Sequence, residues 1–267
     1  MNKGSSLQEA YLSRLEKQRR KIMAARILLA LAFFLLWETA ADKNWIDSFF
    51  FSSPSRLARL FLSMWRDGSL FLHVGITLTE TLVSFALVVF IGLAVSLLLW
   101  LSDSVFQVLE PYLVILNSLP KSALAPLLIV WLGANQRTII VAGISVAIFG
   151  TILNLYTGFT ETSREKIRLI YTLHGTKKDA LIKVVLPSTV PMIISIMKVN
   201  IGLCLVGVVI GEFIGARNGL GYLIIYGSQV FQLDLVILSI LILCLMAMLL
   251  YGGVTAAEKF YHRRQHA

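Results

Sequence analysis

The chain has 267 residues, of which 57% are hydrophobic and only 15% charged, and its mean hydropathy is +0.78. A soluble domain of this length does not need so much apolar surface, whereas a helical membrane protein does. The formal net charge is +9, but the basic residues cluster beside apolar runs, which argues against nucleic acid as a partner.

The first segment, LQEAYLSRLEKQRRKIM, is basic and helix-compatible. It reads as an anchor on anionic membrane lipid. An apolar run follows at about 23–41, and further runs lie at about 79–101, 106–133, 138–158, 188–211 and 235–255. Each unbroken run is near the roughly 20 residues needed to cross the hydrocarbon core. Backbone in lipid must satisfy its own hydrogen bonds, so the spans are helices, and no alternating polarity supports strands. The fold class is therefore all-α integral membrane, with about six transmembrane helices. The organisation expected is a basic cytoplasmic tail over 1–22, a first transmembrane helix and external loop over 23–71, a transmembrane core over 72–256 and a second cytoplasmic tail over 257–267.

Lys/Arg placement sets the orientation. Lys3, Arg14, Lys17, Arg19, Arg20, Lys21 and Arg26 precede or open the first span. Arg164, Lys166, Arg168, Lys177, Lys178 and Lys183 lie between the fourth and fifth, and Lys259, Arg263 and Arg264 follow the sixth. With six spans these sets share one face, so both termini and residues 160–187 are expected in the cytoplasm.

Ionisable groups at membrane depth cost roughly 2.5–3.5 kcal/mol on insertion scales, so each needs a partner or water. Glu38 and Glu80 are expected to snorkel to an interface, and Glu110 and Lys198 also lie in or near spans. The third region is broken by Pro111, Pro120 and Pro126. Within it, Asn117, Ser118 and Lys121 admit two readings: a kinked helix with Lys121 at an interface, or an element lining a substrate pathway. If the solute is an anion, Lys121 would supply positive charge along that pathway.

The interruption TETSREKIRLIYTLHGTKKDALIKVVLP reads as two short helices turning at His174-Gly175. Thr162 with Glu165, and Thr176 with Asp179, fit the pattern that caps a helix start. A helix–turn–helix on the cytoplasmic side is a docking shape. Farther on, Gly207, Gly211 and Gly215 fall every four residues, which suits close helix contact. With Glu212 they are open to a second reading, as part of an external gate.

No catalytic constellation or metal spacing is present. The histidines His73, His174, His262 and His266 form no zinc motif, Cys204 and Cys244 give no disulfide framework, and no phosphate-binding GxxxxGK[S/T] loop occurs. The chain is expected to be no enzyme and to carry no cofactor.

Five stretches carry a family resemblance: SSPSRLARLF, LEPYLVILNSLPKSALAPLLIVWLG, ILNLYTGF, HGTKKDALIKVVLPSTVP and VGVVIGEFIGARNGLGYLI. Together they resemble the permease subunit of a type I ABC importer in the nitrate/sulfonate/taurine branch, over about residues 50–256. The resemblance implies the type I (MetI-like) permease fold in a prokaryotic cell membrane and a permease homodimer. It also implies two separate ABC ATPase subunits holding ATP and Mg, and an extracytoplasmic solute-binding protein. The solute implied is small: nitrate-, sulfonate- or taurine-like, or a heterocyclic vitamin precursor. The stretch around 168–187 is similar to the family's EAA coupling motif. It places the usual Glu-Ala-Ala on Arg168, Leu169 and Ile170, and the usual glycine on His174, one position before Gly175. The ATPase-coupling residues implied are Arg168, Tyr171, His174, Gly175, Thr176, Lys177, Asp179 and Pro187. The competing reading is a gradient-driven secondary transporter, which would need an ion site near the midplane and usually internal repeats; neither is legible.

Overall fold

The computed structural model describes residues 3–265, so His266 lies outside the described residues. Twelve α-helices and one π turn make up the described chain, with no strand among the described residues. Two compact units are present, Met1–Ser63 and Met64–Ala267.

The first unit holds α1 (Lys3–Asp42), α2 (Ser48–Phe51) and the start of α3 (Pro54–Arg66). The second half of α1 is long and apolar enough to cross a membrane, and its large side chains are exposed on all sides, as suits lipid contact. Glu38 does not reach for solvent alone: its Oε2 accepts from Ser55 N–H at 3.0 Å and satisfies a free donor in the first turn of α3. Residues 54–66, expected to be external loop, are thus helical, with Pro54 at a first-turn position where a missing N–H costs nothing.

The second unit is built around α7 (Gln136–Thr160), which packs against α4 (Ser69–Leu101) and α10 (Leu186–Gly215). Lipid offers no hydrophobic drive for helix pairing, so close approach and hydroxyl bonds do the joining. On α4 the buried positions Thr77, Thr81, Ser84, Val88, Gly92 and Ser96 form one stripe of small or hydroxyl side chains. Ser84 Oγ donates to Ile140 O and Ser96 Oγ to Ile152 O, each at 3.1 Å. The glycine stripe of α10 does the same work. A Cβ at Gly207 would stand 2.9 Å from Ala142 O and Gly143 Cα, and one at Gly211 3.2 Å from Ala142 Cβ. The packing reading of Gly207, Gly211 and Gly215 is the one these contacts support. Val88, Leu99, Ile148, Ile152 and Cys204 fill the space between these helices. Large apolar side chains such as Phe90, Leu98 and Met248 face outward, as a bilayer-facing surface requires.

The Pro-broken third region is two helices, α5 (Asp103–Ser118) and α6 (Lys121–Leu132), bent by 95° at Leu119-Pro120. After α10 come α11 (Leu220–Gln229), a short helix not anticipated in the sequence, and α12 (Leu233–Gln265). Lys198 on α10 pairs with Glu258 on α12, which answers the cost of a partly buried ammonium.

Three local expectations change. The segment 160–187 does contain α8 (Arg164–Thr172) and α9 (Lys177–Ala180), but α9 does not end before the fifth span. It runs into α10 through a π turn, Leu181–Val185, giving one helical rod over Lys177–Gly215. Pro187 lacks an N–H, and Leu186 N–H bonds back to Leu181 O, so the wider turn absorbs the break in the ladder. Ser163, not Thr162, stands before α8, and it makes no side-chain cap; Thr162 Oγ1 is buried without a partner. Glu80 is no snorkeler, since it is 1% exposed.

Candidate functional site

Residues 160–187 fold as one hairpin. His174 adopts φ +60°, a left-handed conformation that disfavours any Cβ. Gly175 has no such backbone demand but has no room: a Cβ there would stand 2.5 Å from Ile170 Cγ2 and 2.9 Å from Ile170 O. The turn therefore draws on glycine's conformational freedom at 174, where a histidine stands, and on its small size at 175. Gly175 N–H closes α8 by donating to Ile170 O at 2.9 Å. Thr176 then opens α9 with a complete capping box. Thr176 Oγ1 accepts from Asp179 N–H at 3.3 Å, and Thr176 N–H donates to Asp179 Oδ2 at 2.9 Å.

One side of this hairpin is anchored. Ala180, Leu181 and Val185 are buried against Trp100, Leu155 and Phe159. Lys177 Nζ lies 3.4 Å from Asp103 Oδ1 and 5.4 Å from the centroid of the Trp100 ring, which ties α9 to the α4–α5 corner. The remaining faces of α8 are open and carry large apolar side chains. Leu169 is 60% exposed, Tyr171 45% and Leu173 70%. Arg168, His174, Thr176 and Pro187 are exposed as well. The expected coupling residues thus divide into two groups: Arg168, Tyr171, His174 and Pro187 on the exposed surface, and Gly175, Thr176, Lys177 and Asp179 in the hairpin's own construction.

At the opposite end of α10 lies a buried polar network. Glu212, 1% exposed, accepts from Thr77 Oγ1 at 2.6 Å and from Gly221 N–H at 2.5 Å. Thr77 Oγ1 accepts from Leu220 N–H at 2.8 Å, and His73 Nδ1 accepts from Gly219 N–H at 3.0 Å. The free N–H groups at the start of α11 are therefore held by side chains of α4 and α10. Gly219 and Gly221 leave no space for a Cβ beside the Glu212 carboxylate.

A third feature lies midway along the bundle. A pocket of about 170 Å3 opens between the end of α5, α7 and α10. Its polar lining is Asn117, Asn154, Ser195, Asn200 and Thr151. Asn117, Asn154 and Ser195 are exposed, whereas Asn200 is 3% exposed and its Nδ2 has no hydrogen-bond partner. Exposed carboxamides halfway along a membrane helix suit a water-filled cavity or another protein, not lipid. Of the three pathway residues expected, Asn117 lines this pocket. Ser118 Oγ bonds Val114 O of its own helix, and Lys121 Nζ donates to Leu116 O at 2.5 Å and stands over the Phe149 ring. Asn154, Ser195 and Asn200 were not singled out in the sequence, although polar residues inside apolar runs are themselves a signal.

Residues 88–264 match the family model described as "Binding-protein-dependent transport system inner membrane component". The chain belongs to this family. Among curated relatives, a probable ABC transporter permease protein of Haemophilus influenzae is 29% identical over 85% of this chain and 92% of its own length. The formylaminopyrimidine transport permease protein ThiX of Halalkalibacterium halodurans is 27% identical over 73% of this chain and 77% of its own. The taurine transport system permease protein TauC of Escherichia coli is 25% identical over 84% of this chain and 83% of its own. The MetNI methionine ABC transporter, solved in an inward-facing conformation, superposes with a TM-score of 0.61 at 19% identity, covering 70% of this chain and 93% of that one. The type I importer fold is thereby shown, and the protein is a multi-pass permease of an ABC importer rather than a gradient-driven transporter.

Proposed function

We propose that this permease pairs with a second copy of itself, receives a small polar solute from an extracytoplasmic binding protein, and is driven by two ABC ATPase subunits that carry ATP and Mg. The observation that carries the ATPase assignment is the open apolar crest of Leu169 and Leu173, four residues apart at the end of α8, on a hairpin whose other side is fixed to the bundle. Two large apolar side chains side by side on a basic, polar segment, with exposed Tyr171 on another face of the same helix, call for a partner to cover them. A groove on the ATPase that takes this crest pulls on α9. Because α9, the π turn and α10 are one rod, the pull reaches the far end of the bundle without an intervening hinge loop. ATP binding closes the ATPase pair, moves the rods as near-rigid bodies, and exchanges inward- for outward-facing access; hydrolysis reverses the exchange.

In this reading the hairpin end is cytoplasmic, in keeping with its six basic residues. The Glu212 network is the outer end and faces the binding protein. Asn117, with Asn154, Ser195 and Asn200 beside it, lines the pathway, and Ser118 and Lys121 hold the helix ends at the α5–α6 break. The solute belongs to the classes carried by the relatives: a formylaminopyrimidine, taurine, aliphatic sulfonates, riboflavin or nitrate.

The test is Leu173→Asp. It puts a charge where a dry contact is proposed and touches nothing in the bundle core. The ATPase subunits are expected to be lost from the purified complex and uptake abolished, with the permease still monodisperse. Undisturbed co-purification and uptake would refute the docking face.

A further inference from the structure

We infer that the pocket between α5, α7 and α10 is a transient binding site for an uncharged, single-ring solute that bears both hydrogen-bond donors and acceptors. This deepens the pathway reading above and rests on it.

Three helices each give one face to the pocket. Asn117 comes from the last turn of α5, Gly150 and Asn154 from one face of α7, and Ser195 and Asn200 from α10. Gly150 keeps the site open: a Cβ there would stand 3.2 Å from Asn117 Oδ1. The polar lining contains no lysine, arginine, histidine or carboxylate. Three carboxamides and one serine hydroxyl each present a donor and an acceptor. Thr151 Oγ1 already spends its proton on Ala147 O at 2.6 Å. Asn200 Nδ2 is a buried donor without a protein partner, and a buried donor of that kind calls for one.

This donor set decides the solute's character. An oxyanion needs an excess of donors, supplied by cationic side chains or by free backbone N–H groups. Here every donor arrives with a carbonyl or hydroxyl oxygen, and no cation lies in the lining to offset the desolvation of an anion. Lys121, expected to supply positive charge along the pathway, is outside the lining and already donates to Leu116 O, and Lys198 is outside it as well and paired with Glu258. A neutral ring carrying an amino group and ring nitrogens matches carboxamides on both counts. A site built on such pairs rejects solutes that cannot complete them. The volume of about 170 Å3 lies below the roughly 300–1,000 Å3 of pockets for drug-sized ligands, which suits one ring. Few contacts also suit a transport site, since tight binding would hold the solute.

Val199 lines the same pocket, is 62% exposed, and contributes no polar group, so it is the reporter position. Val199→Cys is placed in a Cys204→Ala, Cys244→Ser background. The full complex with ATPase and binding protein is reconstituted in lipid nanodiscs without nucleotide. The rate of alkylation by N-ethylmaleimide is measured with 4-aminopyrimidine, taurine or sodium nitrate as probe. The expected result is slower labelling with 4-aminopyrimidine and unchanged labelling with taurine and nitrate. Asn200→Leu and, separately, the exposed Asn154→Ala should each raise the 4-aminopyrimidine concentration needed by about two- to tenfold, the worth of one hydrogen bond. The inference is overturned if Val199→Cys does not label, if nitrate or taurine protects as well as 4-aminopyrimidine, or if protection survives both asparagine variants. Because labelling is read without nucleotide, its outcome is separate from ATPase co-purification and ATP-dependent uptake, which test the importer reading itself.

Discussion

Thr77 donates its hydroxyl proton to Glu212 Oε1 at 2.6 Å while the same oxygen accepts Leu220 N–H at 2.8 Å. One side chain of α4 thus joins the end of α10 to the start of α11. Both partners are buried, so removing the hydroxyl leaves a backbone N–H unsatisfied and takes one donor from Glu212. Thr77→Val, nearly identical in shape, should destabilise the permease by about 2 kcal/mol or more. Thr77→Ser keeps the hydroxyl and should cost less. Glu212→Gln should also destabilise, because an amide has one acceptor oxygen where the carboxylate uses two, one for Thr77 Oγ1 and one for Gly221 N–H. Thermal denaturation of the detergent-solubilised protein measures all three. Equal melting temperatures for Thr77→Val and wild type would remove the network's structural role.

The His174-Gly175 turn yields two changes with opposite signs. His174→Gly relieves a left-handed Cβ and should stabilise the hairpin by about 1 kcal/mol, with uptake retained. Gly175→Val drives a side chain into Ile170, whose Cγ2 stands 2.5 Å from the position of even the first added carbon. That change should tilt α9 off its anchor on Trp100 and uncouple ATP hydrolysis from solute uptake. ATPase rate and uptake are measured on the same preparation. Normal uptake in Gly175→Val would show that the turn tolerates the shift.

Orientation is tested at the two ends of the α10 rod. Lys178, in its first turn, and Asn218, beyond its last, are both exposed. Single cysteines at each position, in a background lacking buried Cys204 and exposed Cys244, should label differently in intact cells. An impermeant reagent is expected to reach Asn218→Cys and not Lys178→Cys. The reverse pattern would invert the assignment of cytoplasmic and outer ends, and with it the ATPase-docking role of the hairpin.

Much of this protein is legible from composition and spacing. Lipid imposes two demands, an apolar exterior and internally bonded backbone, and both write themselves into sequence as long apolar runs. The five unbroken spans, the Pro120 break and the hairpin turn follow directly. The Thr176–Asp179 box was readable because a capping box is local: both of its hydrogen bonds span three residues. The Gly207–Gly211–Gly215 stripe was readable because a period of four marks one helix face.

What stayed hidden depends on which helix stands opposite. Glu80 looked like an end-of-span carboxylate because sequence gives no sign that α10 brings Glu212 into hydrogen-bond contact with it. Thr77 and His73 are unremarkable until the start of α11, more than 140 residues later, supplies their N–H partners. Asn117, Asn154 and Asn200 lie on three separate helices, and only packing makes them one pocket. Sequence by itself determined that this chain crosses a membrane in helices, where they break, and which polar, basic segment interrupts them, since each of these is set by local hydropathy, backbone chemistry or charge. Tertiary structure alone decided which buried polar groups satisfy one another and which face a shared cavity, because a hydrogen bond between helices is fixed by distance in space and leaves no period in the chain.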